Sequence, residues 1–168
     1  MLYSATVVAL VATISVAAPA CAPPNANPST ARGAATVNPT NLQVTTLAAA
    51  TVSGFDEPME ATIRDNAAFA ESWKTLHSGI QGNPPPSVDF NTRTVIVVAL
   101  GHRNTGGYSV QIDRVTRVRD GAVVSYTTTA PGNGCMTNQM VTSPVVIASV
   151  PMVSGNVEFK RHDVIGKC

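Results

Sequence analysis

The stretch "TVIVVALGHRNTGGYSVQID", residues 94–113, contains two different strand patterns on either side of a loop with three glycines. Residues 94–100 form a continuous apolar run, which is typical of a strand buried on both faces of its sheet. Residues 108–113 alternate between apolar and polar side chains, the period of a strand with one buried face. The alternation slips by one residue near Arg114, so we expect either a β-bulge or a break in the strand there. The stretch therefore predicts a β-rich domain.

The loop between these strands, "GHRNTGG" at residues 101–107, raises the question of whether it binds a phosphate group. A phosphate-binding glycine loop leads into a helix whose N-terminal N–H groups point at the anion. Here the following residues alternate as a strand does, and the glycine spacing fits neither GxxxxGK[ST] nor GxGxxG. We therefore interpret the loop as a connector in which Gly106 and Gly107 adopt positive φ angles at the end of a hairpin.

One α-helix is predicted over residues 66–78, where three apolar residues recur at the spacing of a single stripe: Phe69, Trp73 and Leu76. Asp65 or Asn66 is suited to cap the start of this helix. Because Trp73 lies on the apolar stripe, we interpret it as a core residue rather than a platform for a ligand.

Most of the remaining segments are strand patterns separated by turn residues: 43–52, 59–65, 94–100, 108–113, 119–129 (which includes a turn at its start), 143–151 and 156–162. Asp120-Gly121 is a strong hairpin signal, and the last two strands are predicted to pair around Ser154-Gly155. This pattern predicts a mainly β fold, either an antiparallel β-sandwich or a partly open barrel, with the α-helix covering one side.

The N-terminal residues differ in composition from the rest of the chain. Residues 1–21 carry no charge and contain an apolar run that ends in small residues, which is typical of a secretory signal peptide. Cys21 follows those small residues, so the segment also fits a lipoprotein signal in which this cysteine receives the lipid; a plain cleaved signal is the alternative. Residues 22–41 are predicted to be a flexible linker, and residues 42–168 to form the domain. We expect an exported protein of the cell envelope; under the lipoprotein interpretation a lipid on Cys21 is its one attachment to a membrane, and under the alternative it is free in the periplasm or outside the cell.

Cys135 and Cys168 are the two cysteines outside the predicted signal segment. An even pair in an exported chain is predicted to form a disulfide. A metal pair or a reactive thiol is the competing interpretation, but it finds no CxxC spacing and no nearby group of histidines.

Neither the composition nor the motifs indicate an enzyme or a nucleic-acid-binding protein. The net charge is +1 and aromatic residues make up 5% of the chain, so a basic surface with stacking side chains is not expected. His77, His102 and His162 fall in no HxH or HExxH pattern, and no GxSxG is present. We predict a non-enzymatic protein that requires no cofactor.

Three segments carry a family resemblance: "VDFNTRTVIVVALGHRNTGGYSVQIDRV", "APGNGCMTNQMVTSPVVIASVP" and "VEFKRHDVIGKC". They resemble the C-terminal domain family of the protease-complex subunit PrcB, and the similarity covers residues 44–168. The shared features are a Val-Asp-Phe lead-in, a strand ending in Gly, a Thr-Gly-Gly-Tyr turn and Gln-x-x-Thr-x-Pro. Here these are Val88 to Phe90, Gly101, Thr105 to Tyr108, and Gln139, Thr142 and Pro144. Val145 departs from the pattern, because the family often has an aromatic residue there.

The resemblance implies a bacterial exported protein, often lipid-anchored, that helps a surface protease complex assemble or stay stable without catalysing a reaction. We therefore predict an interaction module whose partner is another exported protein, such as a protease. A rigid scaffold presents binding residues on its loops, here 101–107 and 131–142. The predicted contact residues are His102, Arg103, Asn104, Thr105 and Tyr108. The alternatives are an envelope domain that binds a small ligand, for example a carbohydrate, and a protease inhibitor.

Overall fold

The computed structural model describes residues 39–78 and 83–168. These residues form eight strands and one helix: β1 (Thr40–Leu42), β2 (Thr45–Ala50), β3 (Pro58–Ile63), α1 (Asn66–Leu76), β4 (Arg93–Leu100), β5 (Ser109–Val118), β6 (Gly121–Ala130), β7 (Val145–Pro151) and β8 (Asn156–Ile165). Because β1 begins at Thr40, the last two residues of the predicted linker 22–41 lie in a strand. The predicted signal segment 1–21 and the linker up to residue 38 lie outside the described residues.

The strands form two four-stranded sheets. The first sheet has the order β1-β5-β6-β8, and the second has the order β2-β7-β4-β3. Neighbouring strands are antiparallel except β6 and β8, which run parallel. The predicted mainly β class is confirmed. Of the two predicted architectures the sandwich is correct, since the sheets formed by the described residues do not close into a barrel.

The apolar run of β4 explains why the domain has three layers. Ile96 and Val98 pack between the two sheets, whereas Val95 and Val97 pack against α1 on the other face of the second sheet. All four side chains are at most 1% exposed. Because successive side chains of a strand point to opposite faces, a strand that is apolar at every position needs cover on both. The prediction of a doubly buried strand is confirmed.

β5 contains the irregularity that its sequence predicts. Its register with β6 shifts between Ile112 and Arg114. As a result Ile112 and Val115, three positions apart, both face the core between the sheets. The bulge adds one extra residue to β5, so the side chain of Val115 points toward the core as that of Ile112 does, although the two are an odd number of positions apart.

α1 covers the outer face of the second sheet, as its apolar stripe predicts. Asp65 caps its start by accepting a hydrogen bond of 2.8 Å from the N–H of Ala68. The helix ends at Leu76, two residues before the predicted end, with His77 as C-cap. Trp73 is 8% exposed, and its indole N–H donates to the carbonyl of Asn83 at 2.9 Å. Its interpretation as a core residue is confirmed.

The predicted pairing of the last two strands is wrong. β7 lies in the second sheet between β2 and β4, whereas β8 crosses to the first sheet and runs parallel to β6. Val145 to Val150 is buried at every position and therefore needs a central place covered on both faces. In β8 only Val157 and Phe159 pack against the core, so this strand suits a sheet edge. The turn at Gly155 passes from one sheet to the other.

The glycine loop 101–107 is a connector, but it does not end a hairpin. It joins β4 in the second sheet to β5 in the first. Gly107 has the predicted positive φ, +87°, whereas Gly106 does not. Gly106 is buried, and a Cβ atom there would lie 2.0 Å from the carboxamide oxygen of Asn138. A side chain at position 106 would therefore require the Asn138 side chain to move.

No helix among the described residues is both long enough and apolar enough to cross a lipid bilayer.

Candidate protein-interaction surface

One end of the sandwich gathers most of the residues that the sequence singles out. β4 and β6 end there, and β5 and β7 begin there. We call this end, formed by residues 51–52, 101–108, 131–144 and 164–168, the loop end. The opposite end carries Met152, whose N–H donates to the carbonyl of Thr92.

The two long loops of the loop end are joined by backbone hydrogen bonds. Arg103 and Thr142 exchange two, of 2.7 and 2.9 Å, in an isolated antiparallel bridge. The Thr142 hydroxyl donates to the carbonyl of Thr105 at 2.9 Å, and the N–H of Gly106 donates to the carbonyl of Asn138 at 3.0 Å. These bonds fix loop 101–108 against loop 131–144 although neither is part of a sheet.

A disulfide connects the same region to the end of the chain. Cys135 is bonded to Cys168, the pair selected from the sequence, with their Cα atoms 5.4 Å apart. Beside it, the N–H of Gly166 donates to the carbonyl of Ala130 at 2.7 Å. The C-terminal residues therefore pack on the loop end and contribute to its surface.

The structure brings the five predicted contact residues together on loop 101–108. His102 and Asn104 are exposed, whereas Arg103, Thr105 and Tyr108 are half-buried. The guanidinium carbon of Arg103 lies 5.7 Å from the centre of the Tyr108 ring, a cation–π arrangement. The Arg103 guanidinium also donates to the carbonyl of His102 at 3.0 Å. The arginine therefore has a defined direction at the surface.

His102 is paired with an acidic residue that the sequence analysis did not select. Its Nε2 lies 3.0 Å from Oδ1 of Asp56, and its backbone N–H donates to the carbonyl of Asp56 at 3.0 Å. Both side chains are more than half exposed. His77 caps α1 and His162 lies in β8, so the three histidines occupy separate places. Within 39–78 and 83–168 no three His, Cys, Asp or Glu residues form a group that could hold a metal ion.

The apolar side chains of the loop end are not among the residues predicted from the sequence. Among the described residues seven large apolar side chains are exposed, and six of them lie at this end: Val52, Met136, Met140, Val141, Val164 and Ile165. The seventh, Met152, lies at the opposite end. Two methionines in the polar segment "CMTNQM" were the available signal, because methionine is seldom placed in an exposed loop without a packing partner.

Tyr108 lines two cavities at the loop end. The first has a volume of about 350 Å³ and lies between the two loops, lined by residues that include Gly107, Met136 and Met140. The second has a volume of about 250 Å³ and an almost entirely apolar lining, to which Leu100 and Ile165 contribute. The loop end is therefore concave at both cavities, and the lining of the second cavity is apolar.

Charged groups lie along the β8 side of the second cavity. Arg161 Nε donates to Oδ1 of Asp163 at 2.6 Å, and the hydroxyl of Thr128 donates to the same oxygen at 2.5 Å. These two donors hold the pKa of Asp163 below its usual value, because they bind the ionised carboxylate better than the neutral acid.

Deeper between the sheets, Tyr126 carries a polar group into the core. Its ring is 3% exposed, and its hydroxyl donates to a carboxylate oxygen of Glu60 on β3. Burial, followed by the hydrogen bond and the negative charge of Glu60, raises the pKa of Tyr126 well above its usual value of 10.0. The tyrosine is therefore a neutral donor that ties the first sheet to the edge of the second.

The elements described above define a three-layer β-sandwich domain with a cross-linked, apolar loop end. Residues 94–151, from the second residue of β4 to the end of β7, match the family model described as PrcB C-terminal. This match confirms the family resemblance over that segment. A search of curated proteins and a search of solved structures found nothing that matches the chain.

The structure also explains the shared motifs. Gly101, the Thr105–Tyr108 turn and Thr142 build the bridged loops, so these family features shape the loop end. Val145, the position that departs from the pattern, is 1% exposed and packs against the helix side of the second sheet. It makes no surface contact, which removes this position from the candidate interface.

Proposed function

We propose that the chain is an exported, non-catalytic interaction module that assists the assembly or stability of a secreted or cell-surface protease complex. The match of residues 94–151 to the PrcB C-terminal family supports an association with a protease complex. The observation that carries the proposal is the grouping of six of the seven exposed large apolar side chains at the loop end.

An exposed group of apolar side chains has a thermodynamic reason to be covered. Soluble monomers rarely leave large contiguous apolar patches in water, and such patches usually mark contact sites. Met136 and Met140 suit this purpose because a thioether side chain adapts to irregular partner surfaces. Burial of these side chains by a partner would contribute roughly 25 cal/mol per Å² of apolar area.

The loop end is already ordered before any partner binds. The Arg103–Thr142 bridge and the Cys135–Cys168 disulfide hold the loops in one arrangement. A rigid surface loses little conformational entropy on association, so more of the contact energy remains as affinity. This argues for a preformed docking surface.

The proposed location follows from the N-terminal sequence and the cysteine pair. Residues 1–21 have the pattern of a signal peptide, with Cys21 as the residue that would carry a lipid. A disulfide between Cys135 and Cys168 is the state expected in an oxidising compartment outside the cytoplasm. The linker would then hold the domain away from the membrane surface.

The proposed absence of catalysis rests on the environment of His102. A general base in a hydrolase usually lies in a cleft that excludes water and tunes its pKa. The His102–Asp56 pair is instead more than half exposed. We interpret it as a contact that fixes the start of loop 101–108 against the loop before β3.

The experiment is crosslinking on intact cells followed by affinity capture of the tagged full chain. A variant with Met136→Ser and Met140→Ser should recover at least about tenfold less partner, since truncation of a hot-spot residue at the centre of an interface costs about 2 kcal/mol or more. Met152→Ser is the matched control, because it removes an exposed methionine at the opposite end. Capture of a defined envelope protease by wild type and by the control, but not by the double variant, supports the proposal.

Equal recovery of the partner by wild type, the double variant and the control would overturn the proposed function. Recovery of no protein above background would also overturn it. The effect on the captured protease separates two roles. Longer-lived activity with the chain present supports assistance, whereas complete loss of activity at a 1:1 ratio indicates an inhibitor.

A further inference from the structure

We propose that the 250 Å³ cavity at the loop end binds the C-terminal residue of a partner polypeptide, an aliphatic side chain together with its free carboxylate. This inference rests on the proposed function, because it names the part of a protein partner that the loop end recognises. The cavity would hold the side chain, and the Arg103 guanidinium would bind the carboxylate.

The lining of the cavity matches an aliphatic side chain. Leu100 forms part of its buried wall, and Ala130, Val164 and Ile165 add apolar surface from the ends of β6 and β8. Ile165 is 67% exposed. A partner side chain in the cavity would cover this surface, which is the main source of favourable free energy on burial.

The charge of Arg103 is available for an anion. In the described part of the chain no carboxylate lies within 4 Å of its guanidinium. Its side chain is held over the Tyr108 ring, and its backbone is held on both sides by Thr142. A guanidinium with fixed direction binds a carboxylate through two parallel hydrogen bonds at low entropic cost.

The other charges at the cavity are already paired. Arg161 and Asp163 form an ion pair, and Asp163 also accepts the hydroxyl of Thr128. The one acidic side chain that lines the cavity is thereby engaged. Arg103 thus provides the unneutralised positive charge, which complements a negatively charged ligand and not a cationic one.

The geometry favours a chain terminus over an internal acidic residue. In an extended segment neighbouring side chains point to opposite sides, so an aliphatic residue and an adjacent Asp or Glu cannot enter one small cavity together. A C-terminal residue carries its side chain and its carboxylate on the same Cα atom. Leu100 and Arg103 both line this cavity, so a bound C-terminal residue would place its side chain against Leu100 and its carboxylate at Arg103.

The test is a fluorescence-anisotropy titration of the full-length protein with a labelled hexapeptide, Gly-Ser-Gly-Ser-Ala-Leu, ending in a free carboxylate. Saturable binding of this peptide is expected. The affinity should be at least about tenfold lower for the same peptide ending in an amide, and also for a peptide whose last residue is Gly. Arg103→Gln should weaken binding of the carboxylate peptide about tenfold while leaving the amide peptide unchanged. Arg114→Gln is the matched control, because Arg114 is exposed on β5 and lies outside this cavity.

Several outcomes would overturn the inference. The first is equal affinity of the protein for the carboxylate peptide and the amide peptide. The second is an equal loss of peptide affinity in Arg103→Gln and Arg114→Gln. The third is the absence of saturable binding at millimolar concentrations of the peptide. Decanoate that binds tenfold more tightly than the peptide would also overturn it, since the ligand would then be a fatty acid. If the peptide does not bind but capture of a partner from cells still requires Met136 and Met140, this inference is wrong and the proposed function is still supported.

Discussion

Ser53 and Ser143, 90 positions apart in the chain, are joined by four hydrogen bonds in the core, of which the one between their Oγ atoms, at 3.4 Å, is the longest. The N–H of Ser53 donates to Oγ of Ser143 at 2.8 Å, and Oγ of Ser143 donates to the carbonyl of Ser53 at 2.5 Å. Oγ of Ser53 donates to the carbonyl of Ser143 at 2.7 Å. The residues are 7% and 2% exposed. The pair fastens the loop after β2 to the segment that leads into β7.

Ser143→Ala should destabilise the fold, because it leaves the buried N–H and carbonyl of Ser53 without their partner. Each unsatisfied buried group costs about 1–3 kcal/mol, and the loss is read from the denaturation midpoint in guanidinium chloride. Ser109→Ala is the control, since Ser109 is exposed and its replacement should change stability by less than about 0.5 kcal/mol. Equal midpoints for the two variants would contradict this account.

Gly101 and Gly134 provide a matched pair that separates backbone strain from steric overlap. Their φ angles are +70° and +87°. A Cβ atom at Gly101 would lie 2.7 Å from the backbone nitrogen of Pro58, whereas one at Gly134 would meet nothing within 4 Å. Gly134→Ala should cost about 1–2 kcal/mol for the left-handed conformation. Gly101→Ala should cost a further 1–3 kcal/mol, roughly, for overpacking against fixed backbone.

Thermal unfolding of the two glycine variants, side by side with wild type, measures the difference. If Gly134→Ala lowers the melting temperature as much as Gly101→Ala does, close packing against Pro58 is not the reason for glycine at position 101.

Replacing Cys135 and Cys168 together by serine should destabilise the chain. The bond closes a loop with a sequence separation of 33 residues, for which the chain-entropy model gives about 3–4 kcal/mol. Chemical denaturation with and without reductant measures the effect: reductant should lower the midpoint of wild type and leave the serine variant unchanged. Free thiols at both positions in exported protein, detected by mass spectrometry without reductant, would contradict the prediction.

Asp163 should make part of the stability depend on acid pH. Its folded pKa lies below the ordinary value of 3.8 because Thr128 and Arg161 donate hydrogen bonds to the ionised form. A lowered folded pKa means that the unfolded state binds the proton more readily. The stabilisation is therefore fully present above the unfolded pKa and is lost as the pH falls through 3.8 toward the folded pKa.

Unfolding curves of wild type and Asp163→Asn between pH 7 and pH 2 test this prediction. The difference in stability should be largest near neutral pH and should shrink below pH 4. Asp113→Asn, in the bulge of β5, removes a carboxylate for which Thr127 is the hydrogen-bond donor and serves as the control. A difference that is constant across the pH range would contradict the role of the ionised Asp163.

Some of the candidate site could be predicted from the sequence and some could not. Loop 101–107 is predicted because a glycine-rich segment between two strand patterns marks a surface connection. Ile165 was not predicted to be exposed, since an apolar residue near a strand end has no local feature that distinguishes exposure from burial. The Asp56–His102 contact joins segments from two different connections, and no periodicity relates them.

Local patterns in the sequence determined the elements of this domain: α1, the doubly buried strand β4, the bulge before Arg114 and the turn before Gly121. Each of these depends on the period of side chains along a few neighbouring residues, which a strand or helix imposes directly. The tertiary structure alone decided that β8 pairs with β6 rather than β7, and that the loop end exposes its apolar side chains. Those outcomes depend on which distant segments compete for the same buried face, and that competition is settled only when both sheets and the helix pack together.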